Sequence, residues 1–292
     1  MSTFEVKTQA EIDALSLDTS AKGRAYFNDT DGSIVAWDGS NWRAYVSDGL
    51  TGWSGSNTYS MNFDGTDDYL IGSPVAASAQ QGTISAWIKT LASGSSQTIF
   101  NSSDTSVDNT WFNFRVSSAG KVLVYALQSG GTLKDATGST TVNDGAWHHV
   151  ALVSDGSAYS FYVDGSAETV TGTNNDGTWL GDLSTLGNAT IGRQVRQTAS
   201  GVQFNGNIDE VAVWDSALSA AQITNIYKGE SNGGSGGTNG TPGNLLSFSP
   251  KAWWRMGDGV EAGSGDIIYD MSSFSNDLTI VNQANFDNTT AP

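Results

Sequence analysis

The sequence has no cysteine among its 292 residues. This excludes disulfides, a thiolate nucleophile and a zinc site built on cysteine. Proline is also scarce, with four residues, and no apolar run reaches the roughly 18 residues that a membrane-spanning helix needs. We therefore expect no membrane insertion.

Positive charge is the next thing that the sequence has little of. It has 13 Lys and Arg residues against 30 Asp and Glu residues, which gives a formal net charge of −17. Nucleic acids and anionic membrane surfaces attract Lys and Arg, so this balance argues against both as partners. The start, MSTFEVKTQAEIDAL, has no positive segment followed by an apolar core, so no secretory signal is expected.

What the sequence has in quantity is turns between short apolar runs. The stretch 143–165 reads NDGAWHHVALVSDGSAYSFYVDG and contains two strand-length runs, 147–153 and 159–163. Asp-Gly pairs tolerate the positive φ that tight turns need. The stretch therefore predicts consecutive antiparallel hairpins.

The same pattern continues over residues 58–229, where strand-like runs recur with turn residues between them. Near its end, Ser219 and Gln222 have the spacing of a helix capping box, and Gly229 stands where a helix commonly stops. We predict an all-β fold class, an antiparallel two-sheet jelly-roll sandwich, closed by one helix.

Smaller pieces flank this domain. Residues 1–50 predict a short helix within 1–16 and then a small β-hairpin or meander over 25–46, which together form an N-terminal attachment module. Such a meander is too small to bury a core alone. It should pack on another domain or on sister copies, so we expect a homo-oligomer.

The C-terminal part begins with a segment rich in Gly, Ser and Asn, 230–244, which predicts a flexible linker. Residues 245–292 predict a short C-terminal β piece. It could be a truncated repeat, a strand-donating tail, or a small element that packs on the first domain or on a neighbour.

Several segments together resemble the laminin-G-like, concanavalin A-like jelly-roll family. They are FDGTDDYL (63–70), TISAWIK (83–89), DGAWHHVALV (144–153), FYVDG (161–165) and FNGNIDEVAVWDSALSAAQI (204–223). The likeness spans 58–229, and 245–292 resembles the opening of a second such domain. Because glycan binding, adhesion and catalysis all occur on this sandwich, the resemblance implies the fold and leaves the function open.

The run from YFN to WDGSNW, residues 26–42, resembles N-terminal hairpin modules of bacteriophage tail-fibre and appendage proteins. This resemblance implies a non-enzymatic structural or adhesive protein of a virion, such as a fibre, appendage or capsid decoration. Its partners would be other virion proteins, further copies of itself and host surface glycans. The alternative is a bacterial extracellular carbohydrate-binding protein.

Catalysis is not predicted. Related β-glucanases carry paired carboxylates on one strand, and the nearest acidic strand here holds Asp209 and Glu210. Adjacent residues on a strand point to opposite faces, so these two acids should not flank one glycosidic bond. His148 and His149 should face opposite ways for the same reason, and we assign them structural roles.

One metal site is predicted, for Ca²⁺, and no other cofactor. Calcium prefers clustered carboxylate oxygens on loops. Asp64, Asp67 and Asp68 follow an early strand, and Asp209 lies on the last strand of the domain. The first and last strands of a jelly roll are often neighbours. The alternative is that these acids cap turns and pair with arginines, Arg193 or Arg115.

Glycan binding would use aromatic faces together with amide and charged side chains. Trp111 with Asn109, and Trp179 with Asn175, lie in loop-like settings and are the predicted ligand-binding residues. Arg193 starts a small polar loop and completes the candidate set. The alternative is that both tryptophans serve packing.

Overall fold

The computed structural model describes four short strands within the first 56 residues, then residues 57–198, 201–256, 267–282, 285–287 and 292. Contacts divide the chain into two units, Met1–Ser56 and Asn57–Pro292. No helix in these described segments is long and apolar enough to cross a membrane.

The first unit contains one small sheet. Its strands are β1 (Glu5–Lys7), β2 (Ala25–Asn28), β3 (Ile34–Trp37) and β4 (Trp42–Tyr45), in that order across the sheet. β2, β3 and β4 pair antiparallel, as the meander predicts, whereas β1 runs parallel to β2. The helix predicted after Lys7 falls outside the described residues.

The second unit is a sandwich of two eight-stranded sheets. Its strands are β5 (Ser60–Asp64), β6 (Tyr69–Gly72), β7 (Gly82–Lys89), β8 (Gln97–Ser103), β9 (Trp111–Val116), β10 (Lys121–Leu127), β11 (Lys134–Thr141), β12 (Trp147–Ser154), β13 (Tyr159–Val163), β14 (Ser166–Ala167), β15 (Ala189–Ile191), β16 (Asn205–Trp214), β17 (Ala252–Trp254), β18 (Ile267–Ile268), β19 (Leu278–Val281) and β20 (Asn285–Asp287).

Sheet I has the strand order β11-β10-β9-β8-β15-β6-β19-β18. Sheet II has the order β14-β13-β12-β7-β16-β5-β20, and β17 also pairs with β16. The pairings within both sheets are antiparallel. The predicted fold class, an antiparallel two-sheet jelly-roll sandwich, is confirmed.

The core lies between the sheets and follows the two-residue period of strands. On β9, Phe112 and Phe114 are buried in it. The ring of Phe112 meets Trp179 edge-on at a centroid distance of 5.1 Å, and the ring of Phe114 stacks on Phe161 at 6.3 Å. The alternate residues of β9 are thereby directed to the outer face of sheet I.

Helix α1 (Ala220–Tyr227) closes the domain as predicted. The Ser219 hydroxyl accepts a hydrogen bond from the Gln222 amide at 3.3 Å, and the Gln222 side chain accepts one from the Ser219 amide at 2.9 Å. Ile223 and Ile226 are buried. Two short 3-10 helices, Leu180–Asp182 and Leu246–Phe248, complete the helical structure of the described residues.

The C-terminal segment adds strands to both sheets. β17 pairs with β16 and β20 pairs with β5 in sheet II, while β19 pairs with β6 in sheet I. Three alternatives were open for residues 245–292. The described part follows the one in which this segment packs on the first domain. In the preceding segment the Asn232 amide donates to the Ser247 hydroxyl at 2.9 Å, and Pro242 is buried. The predicted domain and linker limits stay predictions.

Candidate ligand-binding face

The outer face of sheet I carries an unusual row of polar and aromatic side chains. On β9 the residues that alternate with the core phenylalanines are Trp111, Asn113 and Arg115. The register places Tyr125 of β10 opposite Asn113 on one side and Asn101 of β8 opposite it on the other. Side chains that are directly opposite in neighbouring strands share a face, so these five residues lie together.

Three of these side chains, Trp111, Arg115 and Tyr125, form together with Arg196 what we call the arginine–aromatic cluster. The Arg115 guanidinium carbon lies 4.8 Å from the Tyr125 ring centroid and 5.8 Å from that of Trp111. The Arg196 guanidinium carbon lies 5.4 Å from the Trp111 centroid. These distances suit cation–π contact, so each arginine is positioned by an aromatic ring.

Buried amides support the cluster from the neighbouring strands. The Arg115 Nε donates to Asn113 Oδ1 at 3.1 Å, and Asn113 Nδ2 donates to the Thr98 hydroxyl at 3.1 Å. On β8, Asn101 Nδ2 donates to the Thr190 hydroxyl of β15 at 3.1 Å. This network fixes the orientation of Arg115 before any ligand arrives.

A loop after β15 brings Arg196 to the same place. Arg196 Nη1 donates to the Asp108 carbonyl at 2.8 Å, and the Thr198 amide donates to the Asp108 carboxylate at 2.8 Å. Asn109, which is exposed, follows directly in the chain. The loop before β9 and the loop after β15 therefore meet beside the Trp111 ring.

The electrostatics of Arg115 distinguish it from an ordinary surface arginine. Burial lowers the pKa of the Arg115 guanidinium to about 10; of the nearer ionisable groups, Tyr125 raises that pKa and Arg196 lowers it. The group is still protonated at neutral pH. The cluster thus combines two fixed positive charges, amide donors and two aromatic rings on one face.

Trp111 belongs to this cluster and is 8% exposed, and Asn109 precedes it by two residues; their predicted ligand-binding roles stay predictions. Trp179 and Asn175 lie elsewhere. The Trp179 side chain is fully buried in the core against Phe112, so its predicted ligand-binding role is corrected to packing. Asn175 uses both ends of its amide to hold β13, accepting from the Tyr159 amide at 2.6 Å and donating to the Tyr159 carbonyl at 3.3 Å. Its predicted ligand role is therefore corrected as well.

Arg193 lies beside the predicted calcium loop. Its guanidinium carbon is 5.5 Å from the Tyr69 ring centroid, and its Nη1 lies 3.4 Å from the Asp67 carbonyl. Arg193 therefore contacts the backbone of this loop, which is not the pairing with its carboxylates that the alternative describes, and Arg115 lies in the arginine–aromatic cluster.

The acidic loop itself is compact. Asp64, Asp67 and Asp68 each offer a carboxylate oxygen, and these oxygens lie within 4.8 Å of one another. Gly65 between them has φ +79°, a conformation that glycine adopts without strain, and a Cβ there would meet the Asn205 side chain. A calcium ion is chemically suited to this oxygen set, so the site stays a prediction with its geometry in place.

Asp209 does not join the acidic loop. The expected neighbours do pair, since β5 lies beside β16 with Asp64 opposite Asn205. Asp209, however, stands further along β16, is fully buried, and accepts a hydrogen bond from Asn57 Nδ2 at 2.9 Å. Its predicted metal role is corrected to a structural one.

We expect that calcium will raise the thermal unfolding midpoint, because an ion that binds only the folded state stabilises it by mass action. At a hundredfold excess over Kd the gain is about 2.7 kcal/mol. Asp67→Asn should abolish the shift, and Asp215→Asn, at an exposed carboxylate elsewhere, should leave it intact. Differential scanning calorimetry with calcium and with chelator measures it; an equal response of both variants would reject the site.

The argument against catalysis assumed that Asp209 and Glu210 point to opposite faces of the strand, and this assumption is wrong. Both carboxylates are nevertheless engaged in other contacts. A β-bulge interrupts the pairing of β16 with β7 between Asp209 and Ala212, and Glu210 has φ +49°. Simple alternation therefore fails at this point. Glu210 is buried, and its carboxylate accepts hydrogen bonds from Trp253 Nε1 and from Arg255 Nε, the latter at 3.1 Å.

The two histidines have separate environments. His148 Nδ1 lies 2.8 Å from Asp164 Oδ2, and this hydrogen bond raises the pKa of His148. His149 is fully buried beside Trp87 and Tyr227, with ring centroids 5.3 and 6.2 Å away, and burial lowers its pKa to about 4. Neither arrangement departs from the structural roles assigned to them.

An open cleft elsewhere on the sandwich is less suited to sugars. It is lined by Lys89, Leu91 and Asn205 with their neighbours, and the described residues that line it include no aromatic side chain. Sugar rings commonly need an aromatic face for their apolar side, which favours the arginine–aromatic cluster.

Two antiparallel sheets packed face to face in these strand orders have the architecture of a jelly roll. A family model described as the concanavalin A-like lectin/glucanases superfamily matches residues 63–224, and the chain belongs to this superfamily. A search of curated proteins found no match.

Solved structures show the same fold. A candidate carbohydrate-binding protein from Bacteroides ovatus is 20% identical, with a TM-score of 0.55, over 94% of this chain and 71% of that one. The IT-sialidase CBM40 of Ruminococcus gnavus is 18% identical with a TM-score of 0.49, over 59% of this chain and 98% of that one. A SAP-like pentraxin from Limulus polyphemus is 23% identical with a TM-score of 0.46, over 58% and 82%.

Sequence reasoning missed the roles of Arg115, Tyr125 and Arg196. A signal was available for the first, because Trp111-Phe-Asn113-Phe-Arg115 alternates polar or amphipathic residues with core phenylalanines. Arg196 reaches the cluster through a loop whose path depends on contacts with Asp108, and no local pattern encodes that.

Proposed function

We propose that this is a carbohydrate-binding protein that holds its glycan at the arginine–aromatic cluster on the outer face of sheet I. The observation that carries the proposal is the meeting of Trp111, Tyr125, Arg115 and Arg196 on one preorganised surface. Aromatic faces suit the apolar side of a sugar ring, and guanidinium and amide groups donate hydrogen bonds to its oxygens. Membership of the superfamily and the likeness to a candidate carbohydrate-binding protein from Bacteroides ovatus support this choice.

We further propose that the protein acts by binding and not by catalysis. Glu210, one of the two adjacent acids on β16, is 3% exposed and shares its carboxylate between Trp253 and Arg255. Asp209 is fully buried. A general acid or nucleophile has to reach the glycosidic bond, and buried, paired carboxylates are poorly placed for that.

The virion role stays a prediction, and so do its partners and the homo-oligomer. The virion role depends on the resemblance of residues 26–42 to phage modules. Within this range the structure describes only the strands. With carbohydrate binding we also propose an extracellular location.

The test is a panel of oligosaccharides screened against the full chain, followed by calorimetric titration of those that bind. Tyr125 is half-buried and Asn109 is exposed, so both can be truncated with little effect on the fold. We expect that Tyr125→Ala and Asn109→Ala will each weaken binding about tenfold, the equivalent of one lost good contact. Gln80→Ala, at an exposed residue of another loop, is the matched control.

Two results would contradict the proposal. One is a chain that binds no oligosaccharide at millimolar concentration. The other is binding that Tyr125→Ala and Gln80→Ala affect equally, because the ligand would then lie elsewhere on the protein.

A further inference from the structure

Two buried arginines of this chain differ in one respect. Arg255 is 2% exposed and pairs with the Glu210 carboxylate at 3.1 Å. Arg115 is 7% exposed, and among the described residues it forms no ion pair; its side-chain hydrogen bond goes to the neutral amide of Asn113. Burying a charge without a counter-charge costs free energy, so the Arg115 site is incomplete as it stands.

A second cation increases this imbalance. Arg196 lies against the same Trp111 ring as Arg115 and lowers the pKa of Arg115 by charge repulsion. On the adjoining loop the Asp108 carboxylate accepts hydrogen bonds from the amide and hydroxyl of Thr198. Two guanidinium groups thus meet at one ring in a chain whose formal net charge is −17.

We infer that the glycan of this site is anionic, carrying a carboxylate or a sulfate group that pairs with Arg115. The inference depends on the proposed function and names the chemical class of its ligand. A guanidinium presents parallel N–H donors that match two oxygens of one acidic group, and a partly buried position strengthens the contact. The half-buried Tyr125 ring then lies beside the sugar ring that carries the charge.

The alternative is that Arg115 only holds the sheet together. Its hydrogen bond to Asn113 and its contacts with two rings would serve that purpose. An apolar side chain of similar length could fill the same space without any charge, however, so a purely structural role does not explain why an arginine is present. The two possibilities predict opposite effects of Arg115→Met on the stability of the ligand-free protein.

The experiment titrates the full chain with paired oligosaccharides that differ only in charge. The pairs are a uronic-acid oligosaccharide and its methyl ester, a sialylated lactose and lactose, and a sulfated sugar and its unsulfated form. We expect that at least one anionic member will bind ten- to a hundredfold more tightly than its neutral partner, the range of one charge-assisted contact. Which pair shows the preference distinguishes a carboxylate from a sulfate.

Variants assign the preference to a residue. Arg115→Met should remove the preference, so that the anionic and neutral members of a pair bind with affinities within about twofold of each other. Arg115→Lys keeps the positive charge but loses the paired N–H donors of the guanidinium, and should retain part of the preference. Lys228→Met removes one positive charge at the end of α1 and should leave the preference unchanged. Thermal unfolding of ligand-free Arg115→Met should occur at the same or a higher temperature than that of the unsubstituted chain.

The outcomes separate this inference from the proposed function. Equal affinity for charged and neutral members, with Tyr125→Ala weakening both, would overturn the anionic ligand and keep carbohydrate binding. A preference that Lys228→Met and Arg115→Met reduce equally would also overturn the inference, because it would then reflect long-range charge. A lowered unfolding temperature of ligand-free Arg115→Met, with the preference unchanged, would assign Arg115 to structure alone.

Discussion

Glu210→Ala is expected to destabilise the protein by about 3–5 kcal/mol, because it removes one partner of a buried ion pair. Glu210 and Arg255 are 3% and 2% exposed, and the substitution leaves the Arg255 guanidinium in the same low-dielectric surroundings without this carboxylate. The indole N–H of Trp253 loses its acceptor at the same time. Chemical denaturation of the full chain measures the change in the free energy of unfolding.

A double-mutant cycle identifies the cause. Glu210→Met with Arg255→Met replaces both charges by apolar groups and should recover most of the loss, since a buried pair is worth little against packed hydrophobic residues. Asp215→Ala breaks the half-exposed pair of Asp215 with Lys251, 3.0 Å apart, and should cost less than about 1 kcal/mol. If Glu210→Ala were as mild as Asp215→Ala, the ion pair would contribute nothing measurable.

The strands of the sandwich could be predicted from sequence because their information is local. Alternation marks a strand such as β9, and Asp-Gly turns mark the hairpin of β12 and β13. The capping box of α1 is local in the same way, and Ser219 and Gln222 make both of its hydrogen bonds. The attachment of β17 and β20 to sheet II joins distant residues, and no period in the sequence records it.

The candidate site was partly predictable for the same reason. Trp111 and Asn109 could be singled out because an aromatic residue follows a polar loop, and their ligand-binding role stays a prediction. Trp179 has the same local setting but lies next to a 3-10 helix that turns its ring into the core. The side-chain directions of Asp209 and Glu210 were predicted wrongly because a β-bulge interrupts the alternation of side chains at that point. The bulge depends on the partner strands, so the local sequence does not reveal it.

The two sheet faces have different roles. The outer face of sheet II is covered: the helix residue Ile226, Pro242 and Leu245 enclose His149 and Glu210. Its charged groups therefore concern stability. The outer face of sheet I carries Arg115 without a carboxylate partner among the described residues, and the proposal assigns that charge to ligand binding. The two buried arginines thus differ in their counter-charge. Arg255 has one within the chain, in Glu210, whereas the proposed counter-charge of Arg115 is an acidic group of the ligand.

The stability of the protein should fall by about 3 kcal/mol between pH 6.5 and pH 4, owing to His149. Burial lowers the pKa of this residue from 6.5 to about 4. In this interval the unfolded chain binds a proton at His149 and the folded chain does not, so stability falls as the pH decreases. The chain has two histidines, and His148 has a raised pKa, so its stabilisation is complete below pH 6.5 and is lost at higher pH.

His149→Phe tests this assignment, because phenylalanine can occupy the space beside Trp87 and Tyr227 without a titrating group. Free energies of unfolding of the full chain, measured from pH 4.5 to 7.5, should lose their dependence on pH below 6.5 in this variant. His148→Gln should keep that dependence and change only the part above pH 6.5. An acid slope that survives in His149→Phe would mean that carboxylates, not the buried imidazole, set the acid stability of the sandwich, since several of them have lowered pKa values and lose their stabilisation as the pH falls further.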